Sequence, residues 1–418
     1  MRVLWFSITS SLYGTQQNKF HGGGWIESLQ RSVMAHDEID LGIVFLSSDE
    51  TAPVKQEGRV TYYPLYIKRS FMDRIKDLYT SRFYDTVAVK KYIQVINDFK
   101  PDLIQAFGSE WNFGLIKPYI HVPLIIHMQG FWPEYRNSCY PPGFSKFDHI
   151  FGKWYKPTSI INRLLEDIRS RDRAKREEKI LSINDNYFGR TEWDKAITRL
   201  FNSKSHYYYC SEALRSVFVN ENRKWEFPST SKITFVTTGA GHALKGFDLV
   251  LKTAKLLKDH APFDFEWLLC GPSSDNMRLF EKKTNIKCVD VNVSPLGICS
   301  GELVKDTLLN AFAYIHPSYI DNSPNAICEA QYIGLPVLAT NVGGVASLFP
   351  MDYPKEALVP TNDPYLLASR IIEFVENKNK LKLLSEMNYM ISRERHNDEA
   401  IYASLVRAYN LMLNDNDC

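Results

Sequence analysis

No Cys-x-x-Cys pair occurs in this chain of 418 residues, so neither a zinc knuckle nor a dithiol redox centre is indicated. The seven cysteines (139, 210, 270, 288, 299, 328 and 418) are odd in number and scattered, which fits thiols kept reduced in a cytoplasm. Charge of neither sign dominates: a formal net charge of +2 gives no global pull toward nucleic acid. No uninterrupted apolar run reaches the roughly 18 residues that a membrane-spanning helix needs. The opening Met-Arg-Val-Leu-Trp-Phe-Ser-Ile-Thr lacks a signal-peptide cleavage pattern and reads as a first buried strand. A cytoplasmic setting is therefore expected. There is no low-complexity tract and no short-period repeat. The one Asp-x-Asp, Asp415 to Asp417, lies in the tail, where a fraying end is expected. A divalent metal held by such an acid pair is accordingly not anticipated.

What is present is the profile of a globular protein, 44% hydrophobic and 23% charged, with a length that implies two or three domains. Short apolar runs alternate with helix-period stretches throughout. Strands are predicted at 2–9, 41–47, 102–107 and 123–128, with helices near 24–35 and 84–99. The second half repeats this, with strands at 233–238, 265–270, 287–291, 312–316 and 336–340. Its helices are predicted at 246–259, 301–311, 324–333 and 363–377, followed by 380–394 and 398–413. Such alternation argues for an α/β fold with parallel sheets covered by helices on both faces. A polar stretch within 205–232 suggests the boundary between two domains. We expect residues 1–205 and 206–390 to form Rossmann-like domains, with 391–418 returning to the first.

The densest motif is 316–344. The run Asp321-Asn322-Ser323-Pro324-Asn325-Ala326 follows a strand ending at His316. Ser323 is a natural N-cap and Pro324 suits the first helical position, leaving the N–H groups of Asn325 and Ala326 to meet an anion or sugar oxygens. Asp321 in the loop and Glu329 on the helix could accept hydrogen bonds from different hydroxyls of one polyol, or simply be solvated acids. At 238–250 a strand enters a glycine-containing loop, and Lys245-Gly246 opens a helix. A lysine at a helix N-terminus is unfavourable unless an anion sits there, which hints at phosphate against the plainer reading of a surface lysine. The triplet Gly22-Gly23-Gly24 precedes an amphipathic helix and would allow close approach of backbone to a ligand, or merely a turn. His127 and Gln129 stand on one side of a predicted strand end. Arg190 precedes Thr191 and Asp194, a capping-box variant, and a structural cap is the favoured reading there.

These residues resemble the retaining glycosyltransferases of family 4, which have the GT-B fold of two Rossmann-like domains facing across a cleft. The family carries two acids separated by seven residues, matched by Asp321 and Glu329. Ala330, Gly334, Pro336, Val337, Gly343 and Gly344 are in register. Asp321 stands where the family has Glu, and Ala240 where it commonly has Arg. The resemblance implies that Asp321 contacts the transferred sugar, Glu329 holds the ribose, and Lys245 with Gly246 binds the diphosphate. Gly22, Gly23, Gly24, Asn322, Ser323, Asn325 and Ala326 would complete the donor site. Gln129 aligns with a family histidine that contacts the sugar, and His127 is the alternative. The donor would be a UDP- or GDP-linked sugar, with no other cofactor and no metal. The acceptor would be a glycan or lipid-linked saccharide in cell-surface polysaccharide synthesis.

Two basic, aromatic segments, 68–92 and 153–179, are ordinarily solvated helix faces but would also suit peripheral contact with an anionic membrane. A nucleotide-sugar epimerase or phosphorylase of GT-B form shares the architecture. So does a nucleotide-sugar-binding protein without turnover.

Overall fold

The computed structural model describes residues 1–14, 24–77, 80, 82–151, 157–229 and 232–414. Gly22, Gly23 and the Asp415/Asp417 pair lie outside the described residues. The chain forms two compact units: Met1–Arg136 with Lys153–Ala213 and His396–Cys418, and Asn137–Gly152 with Leu214–Arg395.

The first unit is built on β1 (Arg2–Ser7), β2 (Asp40–Leu46), β3 (Lys55–Glu57), β4 (Val60–Leu65), β5 (Leu103–Phe107), β6 (Leu124–His127), β7 (Asn186–Gly189) and β8 (His206–Tyr209). Their order is β3-β4-β2-β1-β5-β6-β7-β8, parallel except for the β3–β4 pair at one edge. The central strands are near-continuous apolar runs because helices cover both faces. Val3, Trp5, Ile43, Leu103 and Ile125 on one face meet the helices Gly24–Met34 and Asp398–Asn414. Leu4, Phe6, Ile104 and Leu124 meet the helix Arg82–Phe99 on the other.

The second unit carries β9 (Ile233–Thr238), β10 (Phe265–Cys270), β11 (Val293–Gly297), β12 (Ala313–His316), β13 (Val337–Thr340) and β14 (Leu358–Val359). The order is β11-β10-β9-β12-β13-β14, and every pairing is parallel. In both sheets the chain first winds outward to one side and then returns to the other. The reversal falls between β1 and β5 in the first and between β9 and β12 in the second. Open α/β sheets bind ligands beyond the strand carboxyl ends at such a reversal.

Several expectations change in detail. The predicted strand 287–291 is a single 3-10 turn, Cys288–Val291, whose buried residues Cys288 and Val291 lie three apart. Asn292, in the left-handed region at φ 57°, then redirects the chain into β11. The first unit runs to Ala213 rather than 205, because β8 pairs with β7 and keeps 206–209 in the first sheet. The basic stretch beginning near 153 contains one long helix, Pro157–Ile183. Among the described residues no helix is long and apolar enough to cross a membrane.

Candidate functional site

In the second unit the loops after β9 and β12 converge at the reversal point. The first runs through Gly239 to Lys245 and Gly246, and the second from Pro317 to Pro324. Gly246 sits at φ 71°, and a Cβ there would lie 1.9 Å from the Pro317 carbonyl oxygen. Gly343, at φ 52°, is pressed against the Asp321 carbonyl, where a Cβ would approach to 2.0 Å. Tyr319 N–H donates to the Leu244 carbonyl at 2.8 Å, and Gly344 N–H donates to that of Asp321 at 3.1 Å. Thr340 Oγ1 donates to the Ser318 carbonyl at 2.5 Å. The glycines thus allow three loops to stack at backbone distance, which fixes Asp321 and Lys245 side by side.

The Lys245 ammonium donates to Asp321 Oδ2 at 2.5 Å. His316 Nε2 stands 3.1 Å from the same oxygen, and Ser318 Oγ reaches it at 3.4 Å. Behind His316, Nδ1 meets Tyr314 Oη at 3.3 Å, which in turn meets Thr238 Oγ1 at 3.1 Å. Burial alone would raise the Asp321 carboxyl. The Lys245 charge and the His316 contact outweigh it and hold the group well below the carboxylate range. Burial pushes the His316 imidazole down, against the pull of Asp321. The result is an ionised Asp321 beside a partly exposed ammonium, and both can exchange these partners for a polar ligand.

Glu329, almost fully buried on the helix Asn325–Tyr332, is gripped by Arg215 through Nε at 2.6 Å and Nη2 at 2.7 Å. Burial raises its carboxyl and Arg215 opposes that rise. Each oxygen keeps lone-pair capacity beyond one donor, so the fork orients the carboxylate without exhausting it. Arg215 lies 114 residues upstream and no local pattern in the sequence links it to Glu329. His316 was visible as a strand end, but nothing in the sequence showed that it touches Asp321.

Ser323 does not cap the helix. Pro324 holds the cap position without a side-chain bond, and Ser323 Oγ is buried without a hydrogen-bond partner among the described residues. The reason is the proline: its ψ of 120° is extended, so the first turn begins one residue later than its usual place would suggest. Asn325 and Ala326 are partly exposed at the helix start, and Asn322 is buried.

His127, Gln129 and Gly24 belong to the first unit, at the carboxyl ends of its central strands. Trp25, which follows Gly24, packs edge-on against the His127 ring with centroids 5.2 Å apart. His127 is fully buried, and that burial, with the Arg190 charge second, drives its pKa well below the usual imidazole value. Gln129 is half-buried. The predicted cap holds: Thr191 Oγ1 accepts from Asp194 N–H at 3.1 Å. Arg190 itself forms a buried ion pair with Glu212.

Residues 219–390 match the family model described as glycosyl transferases group 1. This segment is a group 1 glycosyl transferase domain. A curated relative, the phosphatidylinositol N-acetylglucosaminyltransferase gpi3 subunit of Schizosaccharomyces pombe, is 26% identical over 48% of this chain and 45% of its own length. The teichuronic acid biosynthesis glycosyltransferase TuaC of Bacillus subtilis is 46% identical over 11% of this chain and 12% of its own. The matched stretches therefore span less than half of either relative. Over the whole chain the fold is that of sucrose-phosphate synthase from Thermosynechococcus elongatus, with a TM-score of 0.71 at 16% identity and 99% of each chain covered. Anabaena HepE, solved with UDP and glucose, gives 0.62 at 12% identity over 98% of this chain and 99% of that one. The group 1 domain thus sits in a chain of GT-B fold.

Proposed function

We propose that this protein is a retaining glycosyltransferase. It transfers a sugar from a UDP- or GDP-linked donor to a hydroxyl of a glycan or lipid-linked saccharide, without a metal, in cell-surface polysaccharide synthesis. The observation that carries this reading is the Lys245–Asp321 contact at the strand reversal of a group 1 glycosyl transferase domain. HepE was solved with UDP and glucose, which supports the donor class.

In this reading the donor diphosphate takes over the Lys245 ammonium, aided by the N–H groups at the start of the helix Asn325–Tyr332. Asp321, released from Lys245 but still held by His316, accepts hydrogen bonds from hydroxyls of the transferred sugar. Glu329, oriented by Arg215, accepts those of the ribose. As the anomeric carbon–phosphate oxygen bond breaks, the acceptor oxygen bonds to that carbon on the same face. The acceptor proton passes to a phosphate oxygen of the departing nucleotide, whose developing charge Lys245 stabilises. The first unit supplies the acceptor side and rests against an anionic membrane surface.

The test is thermal-shift titration with UDP, GDP and their glucose and mannose conjugates. At least one nucleotide should raise the melting temperature. Glu329→Ala should abolish that shift, and Lys245→Ala should weaken diphosphates by about tenfold or more while sparing nucleosides. No shift with any of these ligands would sink the proposal. Release of free nucleotide only when an acceptor is present separates transfer from epimerase or phosphorylase chemistry.

A further inference from the structure

The first unit contains a buried line of polar side chains that ends on His127. Trp5 Nε1–H, on β1, donates to Tyr409 Oη at 3.2 Å. Tyr409 comes from the helix Asp398–Asn414, and its hydroxyl donates to Gln105 Oε1 on β5. Gln105 Nε2 then stands 3.2 Å from His127 Nδ1 on β6. All four residues are inaccessible to solvent, and three of them stand on the adjacent strands β1, β5 and β6.

The polarity of this line follows from proton counting. An indole N–H can only donate, so Tyr409 Oη accepts from Trp5. The hydroxyl proton of Tyr409 then needs an acceptor of its own, and Gln105 Oε1 provides it. Turning the Gln105 amide over would place an N–H against Tyr409 and leave that buried phenolic proton without a partner, which is costly away from water. With Oε1 committed to Tyr409, the amide offers His127 an N–H. Nδ1 must accept it, so the ring's own hydrogen resides on Nε2. That nitrogen is buried and has no partner among the described residues.

We infer that the Trp5–Tyr409–Gln105 line fixes His127 as its neutral Nε2–H tautomer, so that Tyr409 is a positioning residue and Nε2 is the only nitrogen through which the His127 ring can donate. A base at this position is excluded by the same geometry, because the one lone pair on the ring already accepts from Gln105. The tautomer stands on the first unit alone. Its consequence for sugar transfer rests on the function proposed above.

The tautomer is read directly from long-range proton–nitrogen spectra of the full chain labelled at histidine, with the His127 signal assigned by its loss in His127→Gln. The wild type should show an unprotonated Nδ1 and a protonated Nε2 that does not titrate across the stable pH range. Gln105→Glu replaces the amide donor by an acceptor and should move the proton to Nδ1. Tyr409→Phe frees the amide to turn and should give a mixture. In the transfer reaction both variants should lose about tenfold in kcat/KM with nucleotide affinity unchanged. An Nδ1–H or doubly protonated His127 in the wild type would overturn the inference, as would a tautomer indifferent to both substitutions. If the tautomer behaves as expected but no donor binds, the line of bonds stands and the proposed function fails.

Discussion

Gly246 shows how much of the site rests on one missing side chain. At φ 71° the backbone is strained for any L-residue, and the Pro317 carbonyl lies where a Cβ would stand. The strain alone is worth about 1–2 kcal/mol. Gly297 has nearly the same φ, 72°, with nothing within 4 Å of its Cβ position. Gly297→Ala therefore isolates the backbone cost, whereas Gly246→Ala adds a collision with main chain that cannot move without dislodging the loop of Asp321. Urea melts should show Gly246→Ala losing at least about 2 kcal/mol more than Gly297→Ala. Equal losses would mean that the close approach of the two loops contributes nothing. The Lys245–Gly246 dipeptide was legible in the sequence as an anion-site hint, but its partner was not. Contact with Asp321 spans 76 residues and depends on β9 and β12 being neighbours.

At the scale of elements, the long helix Pro157–Ile183 carries an ionisable carboxyl into the interior of the first unit. Glu177 is fully buried, accepting from Ser109 Oγ at 2.5 Å and from Trp132 N–H at 2.7 Å. Burial first, then the neighbouring Glu110 charge, pushes its carboxyl up to about 8 from an ordinary 4.5. The folded chain thus holds a proton that the unfolded chain releases. Stability from this group is full below 4.5, falls as pH rises toward 8, and is level beyond. Glu177→Gln, which mimics the protonated acid, should flatten that slope in urea melts taken across the window. An unchanged slope would place the proton elsewhere. Nothing in the sequence marked Glu177, one acid among many in a basic run. The elements that were legible carry strong local signals: β9 and β10 have the bounds that their β-branched and aromatic runs predict. The 3-10 turn at 288–291 was not legible, because a short segment such as Cys288-Val289-Asp290-Val291 is equally consistent with a strand until Asn292 is seen to redirect it.

Across the whole molecule the charge is unevenly spread. Segments 68–92 and 153–179 each carry a net +4, leaving −6 for the remainder of a chain whose total is +2. The same segments expose large apolar side chains: Phe71 is 76% exposed, and Ile161, Leu164 and Ile168 form an exposed stripe along one face of the long helix. No described side chain of that helix is buried before Ala174. The ion pair of Arg176 with Asp85, at 3.0 Å, ties its inner half to the helix Arg82–Phe99. Basic residues interleaved with exposed apolar ones complement an anionic bilayer, where each cation contributes about 1 kcal/mol near the surface. A large side chain that leaves water adds about 1.5–3 kcal/mol. The full chain should therefore sediment with vesicles of phosphatidylcholine mixed with phosphatidylglycerol, and far less with phosphatidylcholine alone. Salt should release it, since surface charges more than about 8–10 Å apart are screened at physiological ionic strength. Ile161→Ser with Leu164→Ser should weaken binding by about a hundredfold while leaving nucleotide thermal shifts unchanged, because neither residue belongs to the second unit. Equal binding to neutral vesicles would sink the idea. So would a wild-type dimer that these substitutions convert to monomer, since the stripe would then face a second copy of the chain.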